Sequence, residues 1–424
     1  MLASLAQSMK TDLSYKITKN IPNISTQLVQ VTASPSSVLT PPENKELFFS
    51  LPRYGIMQDI LLQSTLTSVS AATALTLTIT GLTATGGQAS TIGSYQTTPG
   101  GLSLFNAMEL RSHNRIICTN DDNYLRVRTD CEKFGRGEGV RYRSRFFSTD
   151  GVTLATTWGT GASVVTYTPF YCSFTESEKS YLDLNFVEQL QFHTVFNSDT
   201  NMGLTSGYGT TGSLSSATTY LWMYYYNMQQ DYLSELRARN FGPERPYVAL
   251  SYDKYTELNA ITPSTTTTTL TLKNNNATFA THFFLKDATY NWLYPIQSYS
   301  FQVNGRTIYN SVPVPIGSWI SDRFGGAGIM MFDQNTTNDG NTYADRPFVG
   351  LNYVRPISLF WGLDAGDRTY NSGALAYHNV NNPQLVLNYA SSSAANTTAV
   401  VVHEFWQLVS INSADGVVSV AVST

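Results

Sequence analysis

Runs of apolar and aromatic residues alternate with short polar clusters along most of the chain. Within these runs, Val, Ile, Thr, Tyr and Phe either alternate with polar residues or follow one another directly, and Gly, Ser, Asn and Asp separate the runs. Such patterns are typical of β-strands that are buried on one or both faces. The sequence therefore predicts an all-β protein, and the clearest strand candidates are residues 74–80, 139–147, 220–227, 270–273 and 399–403.

Helical signals are few. Residues 2–9 form a short and weak helical stretch at the N-terminus. Farther along, Thr175 and Glu178 have the spacing of a capping box, in which the two side chains bond to backbone amides at a helix start. A short helix is therefore predicted to begin just after Phe174.

Part of the chain repeats the pattern of another part. Residues 105–117 match residues 296–308, which lie 191 positions farther on. In the second copy, Asn304 and Gly305 stand between alternating apolar residues, which is the strongest short-range signal for a two-residue hairpin turn. In the first copy, His113 and the asparagine after it occupy the same place and can adopt the left-handed conformation that such a turn needs. Both segments are predicted to be β-hairpins.

A second match supports the repeat. Residues 187–196 correspond in pattern to residues 380–389, which lie 193 positions farther on. Each copy is followed by a loop rich in Ser and Thr and then by a strongly apolar strand, at residues 220–226 in one half and 399–406 in the other. Two independent matches at nearly one offset predict two halves of similar fold.

The length of 424 residues exceeds what one compact hydrophobic core normally supports, so two domains are expected. Each half holds roughly eight strand-like segments, which fits two Greek-key sandwiches better than a short-period solenoid. We predict an N-terminal arm over residues 1–43, a first sandwich over 44–236, a linker over 237–246, a second sandwich over 247–413 and a C-terminal tail over 414–424.

Several connections between the predicted strands are long, small and polar. Long ordered connections are commonly functional or lie in interfaces, and in a sandwich they gather at its ends. These connections are residues 81–101, 150–162, 197–218 and 325–345.

Composition narrows the function. Only 13% of the residues are charged, 12% are aromatic and the net charge is −4, so a general nucleic-acid binder is not expected. A neutral, aromatic surface suits a protein that is buried against copies of itself, because interfaces are poor in Lys and Glu. A neutral secreted β-protein would have a similar composition, but the N-terminus lacks the pattern of a signal peptide. The odd number of cysteines favours buried or idle thiols over a disulfide framework.

No residue pattern points to catalysis, a metal or a cofactor. The five histidines are scattered without metal-ligand spacing, and no nucleophile motif occurs. Residues 207–212 spell G-x-G-x-x-G, but a Ser/Thr-rich loop and a strand follow instead of the helix that a dinucleotide site requires. Asp364, Asp367 and the acidic loop at residues 333–345 could supply oxygen ligands to calcium, yet solvated turns explain them better.

One local charge concentration stands out. Arg141, Arg143 and Arg145 alternate along a predicted strand and would point to one face. They could contact acidic residues of another subunit, nucleic acid or lipid headgroups, but a solvated face paired with nearby acidic residues is about as well supported. Apolar side chains of the N-terminal segment are further candidates for a subunit or interior contact, namely Leu2, Leu5 and Met9.

The chain resembles the double jelly-roll major capsid proteins of the adenovirus and tectivirus lineage, which includes membrane-containing phages, virophages and polinton-like viruses. The resemblance rests on residues 168–185, similar to the helix between the F and G strands of a first jelly roll, and on the strand at 187–196. Residues 299–308 and the closing strand at 400–411 are also similar. The likeness follows the order of elements over most of residues 44–413.

This resemblance implies a fold and a way of assembling. The fold would be two tandem eight-stranded jelly-roll sandwiches with a few short helices. Three chains would form a pseudo-hexagonal homotrimer, and trimers would tile an icosahedral shell in the virion, assembled inside the host cell. The N-terminal arm would run along the shell interior toward minor capsid proteins or an internal lipid membrane, penton proteins would complete the shell, and no sequence-specific nucleic-acid binding is implied.

Two hypotheses from different classes remain after the sequence. The first is a self-assembling major capsid protein. The second is a two-domain carbohydrate-binding or adhesive β-sandwich protein, in which Trp and Tyr faces stack on sugars. An enzyme on this scaffold is the least supported, because no convergent set of polar residues is visible.

Overall fold

A computed structural model describes most of the chain from Ser25 to Val422. The described residues are 25–68, 75–76, 100–131, 140, 143–144, 146–153, 157–158, 161–176, 182–199, 202, 205–206, 213–227, 234, 247–287, 293–294, 296–313, 357–361, 373–389, 397–412 and 416–422. Within them, the structure is dominated by antiparallel strands, as the sequence predicts.

The first half of the chain contains fourteen strands and three short helices among its described residues. The strands are β1 (Ser25–Thr32), β2 (Val38–Leu39), β3 (Glu46–Ser50), β4 (Ile56–Ser68), β5 (Leu75–Thr76), β6 (Phe105–Ser112), β7 (Arg115–Asn120), β8 (Phe147–Ser148), β9 (Thr157–Trp158), β10 (Ser163–Pro169), β11 (Leu182–Asp183), β12 (Leu190–Phe196), β13 (Thr205–Ser206) and β14 (Leu214–Asn227). The helices are α1 (Gly100–Ser103), α2 (Asp122–Cys131) and α3 (Ser173–Glu176).

The second half contains eleven described strands and one turn of 3₁₀-helix at Tyr377–Asn379. The strands are β15 (Tyr247–Ala260), β16 (Thr267–Thr271), β17 (Ala277–Asp287), β18 (Leu293–Tyr294), β19 (Ile296–Val303), β20 (Arg306–Pro313), β21 (Ile357–Phe360), β22 (Leu375–Ala376), β23 (Gln384–Tyr389), β24 (Thr397–Ile411) and β25 (Val418–Val422).

The strand order of the first half is that of a jelly roll. One sheet has the order β1-β14-β4-β10, and the other has the order β3-β12-β6-β7. If these eight strands are lettered B to I in chain order, the sheets read B-I-D-G and C-H-E-F, which is the arrangement produced by two interlocked Greek keys. All the pairings are antiparallel.

The second half repeats this arrangement. Its sheets have the order β15-β24-β17, with β21 also paired to β17, and β16-β23-β19-β20. With the same lettering they again read B-I-D-G and C-H-E-F. The two predicted sequence matches therefore join equivalent strands, because the first match aligns the two E–F hairpins and the second aligns the two H strands. The predicted internal repeat is confirmed at the level of topology.

The turn of the second E–F hairpin has the predicted backbone, whereas in the first hairpin only His113, and not Asn114, has a positive φ. Asn304 and Gly305 have φ of 53° and 70°, and His113 has φ of 53° in the corresponding turn. Positive φ at both central residues matches the right-handed twist of the flanking strands. The Asn-Gly pair thus sets the register between β19 and β20.

Each sandwich encloses its own apolar core. In the first, inward-facing residues such as Phe49, Phe105 and Phe192 are fully buried between the two sheets. In the second, Phe283 and Phe301 fill the same space. The alternation of buried and partly exposed residues along these strands follows from the period of two, which turns every second side chain toward the core.

Three long connections of the first sandwich meet in a small additional sheet. Strand β5 pairs with both β9 and β13, and each of these strands has two residues. They come from the D–E, F–G and H–I connections. The prediction that long loops gather at one end agrees with this sheet.

Two segments that were predicted to lie outside the sandwiches belong to them. Strand β1 is inside the predicted N-terminal arm, but it pairs with β14 along its whole length. Strand β25 is inside the predicted tail, but it pairs with β24. Strand β1 is the B strand at the edge of its sheet, β25 extends the sheet of the second sandwich, and backbone hydrogen bonds hold both in place. The predicted linker at residues 237–246 lies outside the described residues.

Three local predictions were wrong. The predicted strand at residues 139–147 contains a helical turn, because the Ser144 amide donates to the Val140 carbonyl four residues earlier. The short helix begins at Ser173 and not after Phe174, so Thr175 lies within it and its hydroxyl bonds back to the Phe170 and Cys172 carbonyls. This segment also follows strand G. The helix between F and G is α2.

Candidate interaction surfaces

The outer face of the second sandwich is buried under the first. Along β24, Val401 points into the core of the second sandwich, whereas Val400, Val402 and Trp406 point out of it and join the core cluster of the first sandwich. Trp406 also packs on Phe279, with ring centroids 4.5 Å apart. We call this contact between the two sandwiches the junction. Its burial makes the two halves one structural unit.

A chain of buried polar groups crosses the junction. The Tyr124 hydroxyl, on α2, donates to Glu404 Oε1 at 2.6 Å, and Glu404 Oε2 lies 3.0 Å from His282 Nε2. On the far side of the imidazole, Ser358 Oγ lies 2.7 Å from His282 Nδ1. Because a buried carboxyl without partners is costly, these hydrogen bonds fix how α2 sits on the second sandwich.

The order serine, histidine, glutamate is also the order of a hydrolytic triad. However, Ser358 is 4% exposed, and His282 and Glu404 are 0% exposed. The carboxyl is bonded to Tyr124 as well, so no substrate reaches the serine in this arrangement. The three residues therefore act as a structural connection across the junction.

A second polar contact joins β7 to β15. Both the backbone amide and the hydroxyl of Thr119 donate to Asp253 Oδ1, at 3.1 and 3.0 Å. The next residue, Lys254, forms an ion pair with Asp121. Burial raises the pKa of Asp253 to about 7, and burial lowers the pKa of Lys254 to about 7. Both pKa shifts have the same cause, because removal from water disfavours the charged form of an acid and of a base alike.

A third contact links α2 and α3 to the same strand. Arg128 and Glu176 form an ion pair in which both side chains are buried, and the guanidinium carbon of Arg128 lies 4.9 Å from the centre of the Tyr171 ring. The Tyr252 hydroxyl also donates to Glu176, and the Tyr252 amide donates to Ser173 Oγ at 2.9 Å. The short helix α3 is thus an anchor between the two halves.

The outer B-I-D-G face of the first sandwich is not covered by other described residues. Tyr220, Trp222, Tyr224 and Tyr226 alternate along β14 and point away from the core, and all four are partly exposed or exposed. On the neighbouring β1, Leu28 stands opposite Tyr224 and is 60% exposed. We call these five residues the aromatic face. It contains the neutral, amphipathic side chains that are enriched in protein interfaces.

Comparisons with known proteins identify the fold. No family model matches the chain, and no curated protein matches its sequence. Among solved structures, a quasi-atomic model of the PBCV-1 virus capsid is similar with a TM-score of 0.66 and 13% identity, covering 95% of this chain and 97% of that chain. The crystal structure of PBCV-1 VP54, fitted into a cryo-EM reconstruction of the virophage Sputnik, gives 0.63 and 14%, with the same coverage.

The Faustovirus major capsid protein is also similar, with a TM-score of 0.60 and 8% identity over 96% of this chain and 97% of that chain. The likeness covers both sandwiches. In this chain each sandwich has one sheet with the strand order B-I-D-G and one with the order C-H-E-F. The chain has the double jelly-roll fold of these capsid proteins. At these identities the likeness concerns the arrangement of the chain, and individual residues of the double jelly roll have to be understood from their own contacts.

The sequence-predicted contact residues of this double jelly roll are only partly described. Arg143 is exposed and lines an open cavity of about 290 Å³ together with Asp59, Tyr167 and Glu176. Two of the other candidates, Arg141 and Arg145, lie outside the described residues. So do the three N-terminal ones, which are Leu2, Leu5 and Met9. The role of this group in subunit contacts stays a prediction.

Sequence reasoning missed the polar residues of the junction. Tyr124, Asp253 and Glu404 were not singled out, because their partners lie more than 100 positions away. One signal was available, since Glu404 places a carboxyl group in a strand whose neighbouring residues include Val400, Val402 and Trp406. A charged residue in such a position needs a buried partner.

The described residues contain no group of three or more His, Cys, Asp or Glu side chains that could hold a metal ion. Asp364 and Asp367, the calcium candidates, lie outside the described part of the double jelly roll, as does the G-x-G-x-x-G segment. Cys118 and Cys172 are free and buried, as predicted, and burial raises the pKa of Cys172 to about 12. No helix among the described residues has the length and apolarity to cross a bilayer.

Proposed function

We propose that the protein is a viral major capsid protein that self-assembles into pseudo-hexameric homotrimers, which tile an icosahedral shell. The observation that carries the proposal is the pair of complete jelly rolls, joined by a buried junction into one rigid block. Such a block presents two similar but non-identical walls to its neighbours. The likeness in fold to the capsid proteins of PBCV-1 and Faustovirus supports the same conclusion.

The surface chemistry is consistent with assembly. Charged residues make up only 13% of the chain, and exposed apolar residues occur on β1, β14 and β20. Exposed strands with neutral side chains are expected to be covered by other chains, because they otherwise invite uncontrolled pairing. The serine, histidine and glutamate at residues 358, 282 and 404, which have the order of a catalytic triad, are buried and bonded within the junction, which supports a structural role for them.

Further partners belong to the proposal. We assign the interior-facing role to the segment before β1, which carries Leu2, Leu5 and Met9, and its partners would be minor capsid proteins or an internal lipid membrane. Penton proteins would occupy the vertices of the shell. The expected location is the virion.

Light scattering on the purified full-length protein tests the proposal directly. The expected particle has three times the 46.8 kDa mass of the chain, and electron microscopy of that particle is expected to show three-fold symmetry with six lobes. A monodisperse monomer at micromolar concentration contradicts the assignment.

The role of the N-terminal segment is tested separately. Deletion of residues 1–24 leaves β1 and both sandwiches intact, so trimers are expected to form as before. Shell formation in an assembly reaction is expected to be lost or to become irregular. Regular shells from the deleted protein would show that this segment has no part in assembly.

A further inference from the structure

The internal repeat creates the same outward sheet face twice in one chain. In the second sandwich this B-I-D-G face is covered by the first sandwich, and Trp406 and Glu404 at its centre are buried. In the first sandwich the equivalent face is the aromatic face, which nothing in the described part of the chain covers. The covered face of the second sandwich therefore indicates which kind of surface could cover the aromatic face of the first.

The covering element of the junction includes strand β7, the F strand of the first sandwich. The carbonyl of Ile117 accepts a hydrogen bond from Gln407 Nε2 at 2.6 Å, and Thr119 donates to Asp253. Ile117 itself is 0% exposed. The outward side of an F strand is thus the part that lies against a neighbouring B-I-D-G sheet.

The second sandwich has its own F strand, β20, whose outward side is not covered by any of the residues that the structure describes. The offset of 191 positions between the two E–F hairpins pairs Ile117 with Ile308 and Thr119 with Asn310. Ile308 is 48% exposed, whereas Ile117 is fully buried, and Asn310 is exposed as well. Within the described residues, the aromatic face and the outward side of β20 are therefore both uncovered, and they correspond to the two surfaces that form the junction.

We propose that the aromatic face of one copy is covered by the outward side of β20 from the second sandwich of a neighbouring copy. This inference rests on the proposed function and deepens it, because it names the surfaces through which copies of the chain meet. The contact is heterologous, since each copy contributes a different surface to each of its two neighbours. A heterologous contact closes into a ring when its rotation allows, which suits a trimer.

The chemistry of the two surfaces fits this contact. Tyr224 is 37% exposed and the other three aromatic side chains are only partly exposed, so the aromatic face supplies one part of the roughly 800 Å² per partner of a standard interface. Trp222 already satisfies its indole N–H, which donates to Gln63 Oε1 at 2.6 Å, so covering it leaves no polar group without a partner. None of the five residues of the aromatic face is charged, and neither is Ile308 or Asn310. These side chains themselves carry no charge, but the exposed Asp59 stands opposite Tyr224 on β4, so the partner surface has to leave this carboxylate in water or pair it.

Two single substitutions on full-length protein test the contact, one on each side. Tyr224→Asp places a charge on the aromatic face, and Ile308→Asp places one on β20. Both side chains are exposed in the single chain, so each variant is expected to keep the wild-type circular dichroism spectrum. Each is expected to raise the concentration at which trimers dissociate by at least about 30-fold, as measured by light scattering during dilution. Leu28→Asp, at a 60% exposed position on the same face, gives a second variant with the same expected result.

Val152→Asp is the matched control. Val152 is 76% exposed on the turn after β8 and belongs to neither surface, so this variant is expected to dissociate like the wild type. Trimers that persist in Tyr224→Asp, Leu28→Asp and Ile308→Asp alike would overturn the inference while leaving the capsid function in place. A wild-type protein that is itself monomeric would instead contradict the proposed function.

Mixing the two variants tests whether the contact is heterologous. In an equimolar mixture, the intact β20 of Tyr224→Asp can cover the intact aromatic face of Ile308→Asp, so a species of twice the chain mass is expected where each variant alone is monomeric. A mixture that stays monomeric contradicts the pairing of these two surfaces. Variants that form trimers but no longer form shells would show that a different partner covers the aromatic face, which also refutes the proposal.

Discussion

The bond between Tyr124 and Glu404 allows the strength of the junction to be measured. Tyr124→Phe removes one hydroxyl and leaves the packing of the ring unchanged. The lost hydrogen bond is 2.6 Å long and joins two buried groups, one of them a carboxyl that keeps His282 as its other partner. A hydrogen bond to a charged group contributes about 1.5 to 3 kcal/mol. We expect the free energy of unfolding to fall by about 2 kcal/mol.

Thermal unfolding followed by circular dichroism provides the assay. Because the junction joins the two sandwiches into one unit, the entropy of unfolding scales with the 424 residues of the chain, and about 2 kcal/mol corresponds to a decrease of roughly 2 °C in the midpoint. Tyr299→Phe is the matched control, because the Tyr299 hydroxyl is buried and has no hydrogen-bond partner among the described residues. If both variants unfold at the same temperature, the Tyr124 bond does not stabilise the junction.

Three further predictions concern the junction and a hairpin. Arg128→Met removes the buried guanidinium that pairs with Glu176 and is expected to destabilise the protein by up to about 3 kcal/mol in urea titrations. Adding Glu176→Gln is expected to recover part of the loss, and a neutral single variant contradicts the prediction. The pKa of Asp253 is raised from 3.8 to about 7. Between these pH values the folded state therefore binds more protons than the unfolded state. The contribution of Asp253 to the free energy of unfolding accordingly falls as the pH rises from about 4 to 7. Asp253→Asn is expected to reduce that slope, and parallel pH profiles would refute the assignment. Gly305→Val is expected to cost about 1 to 2 kcal/mol because its φ is 70°, whereas Gly305→Asn should cost less in the same titration.

The repeat and the sandwich class were predictable from sequence because both depend on local patterns. Alternation over five to eight residues marks a strand, and the Asn304-Gly305 pair marks a hairpin wherever the rest of the chain goes. In each half, the strand-like segments, the hairpin and the long loops then occur along the sequence in the order of strands B to I. These signals do not require knowledge of which strands pair.

Other features depend on contacts between distant residues, and the sequence carries little trace of them. Thr119 and Asp253 meet only because the two sandwiches pack together, so neither residue stands out in its own segment. Strand β1 was predicted as part of an arm because its outward residues are polar or isolated, yet its backbone pairs with β14. Over residues 139–147, alternating arginines suggested a strand where the chain forms a helical turn, because so short a run does not separate the two periods.

Because the two sandwiches are covalently linked, the junction within each chain can form before the contacts between chains. Tethered surfaces meet at an effective concentration in the millimolar range for short flexible connections, however dilute the protein is. In the proposed trimer, the three junctions that lie within chains are therefore complete as soon as each polypeptide has folded. Only the contacts between chains respond to the amount of protein synthesised, so expression level can set the onset of ring closure.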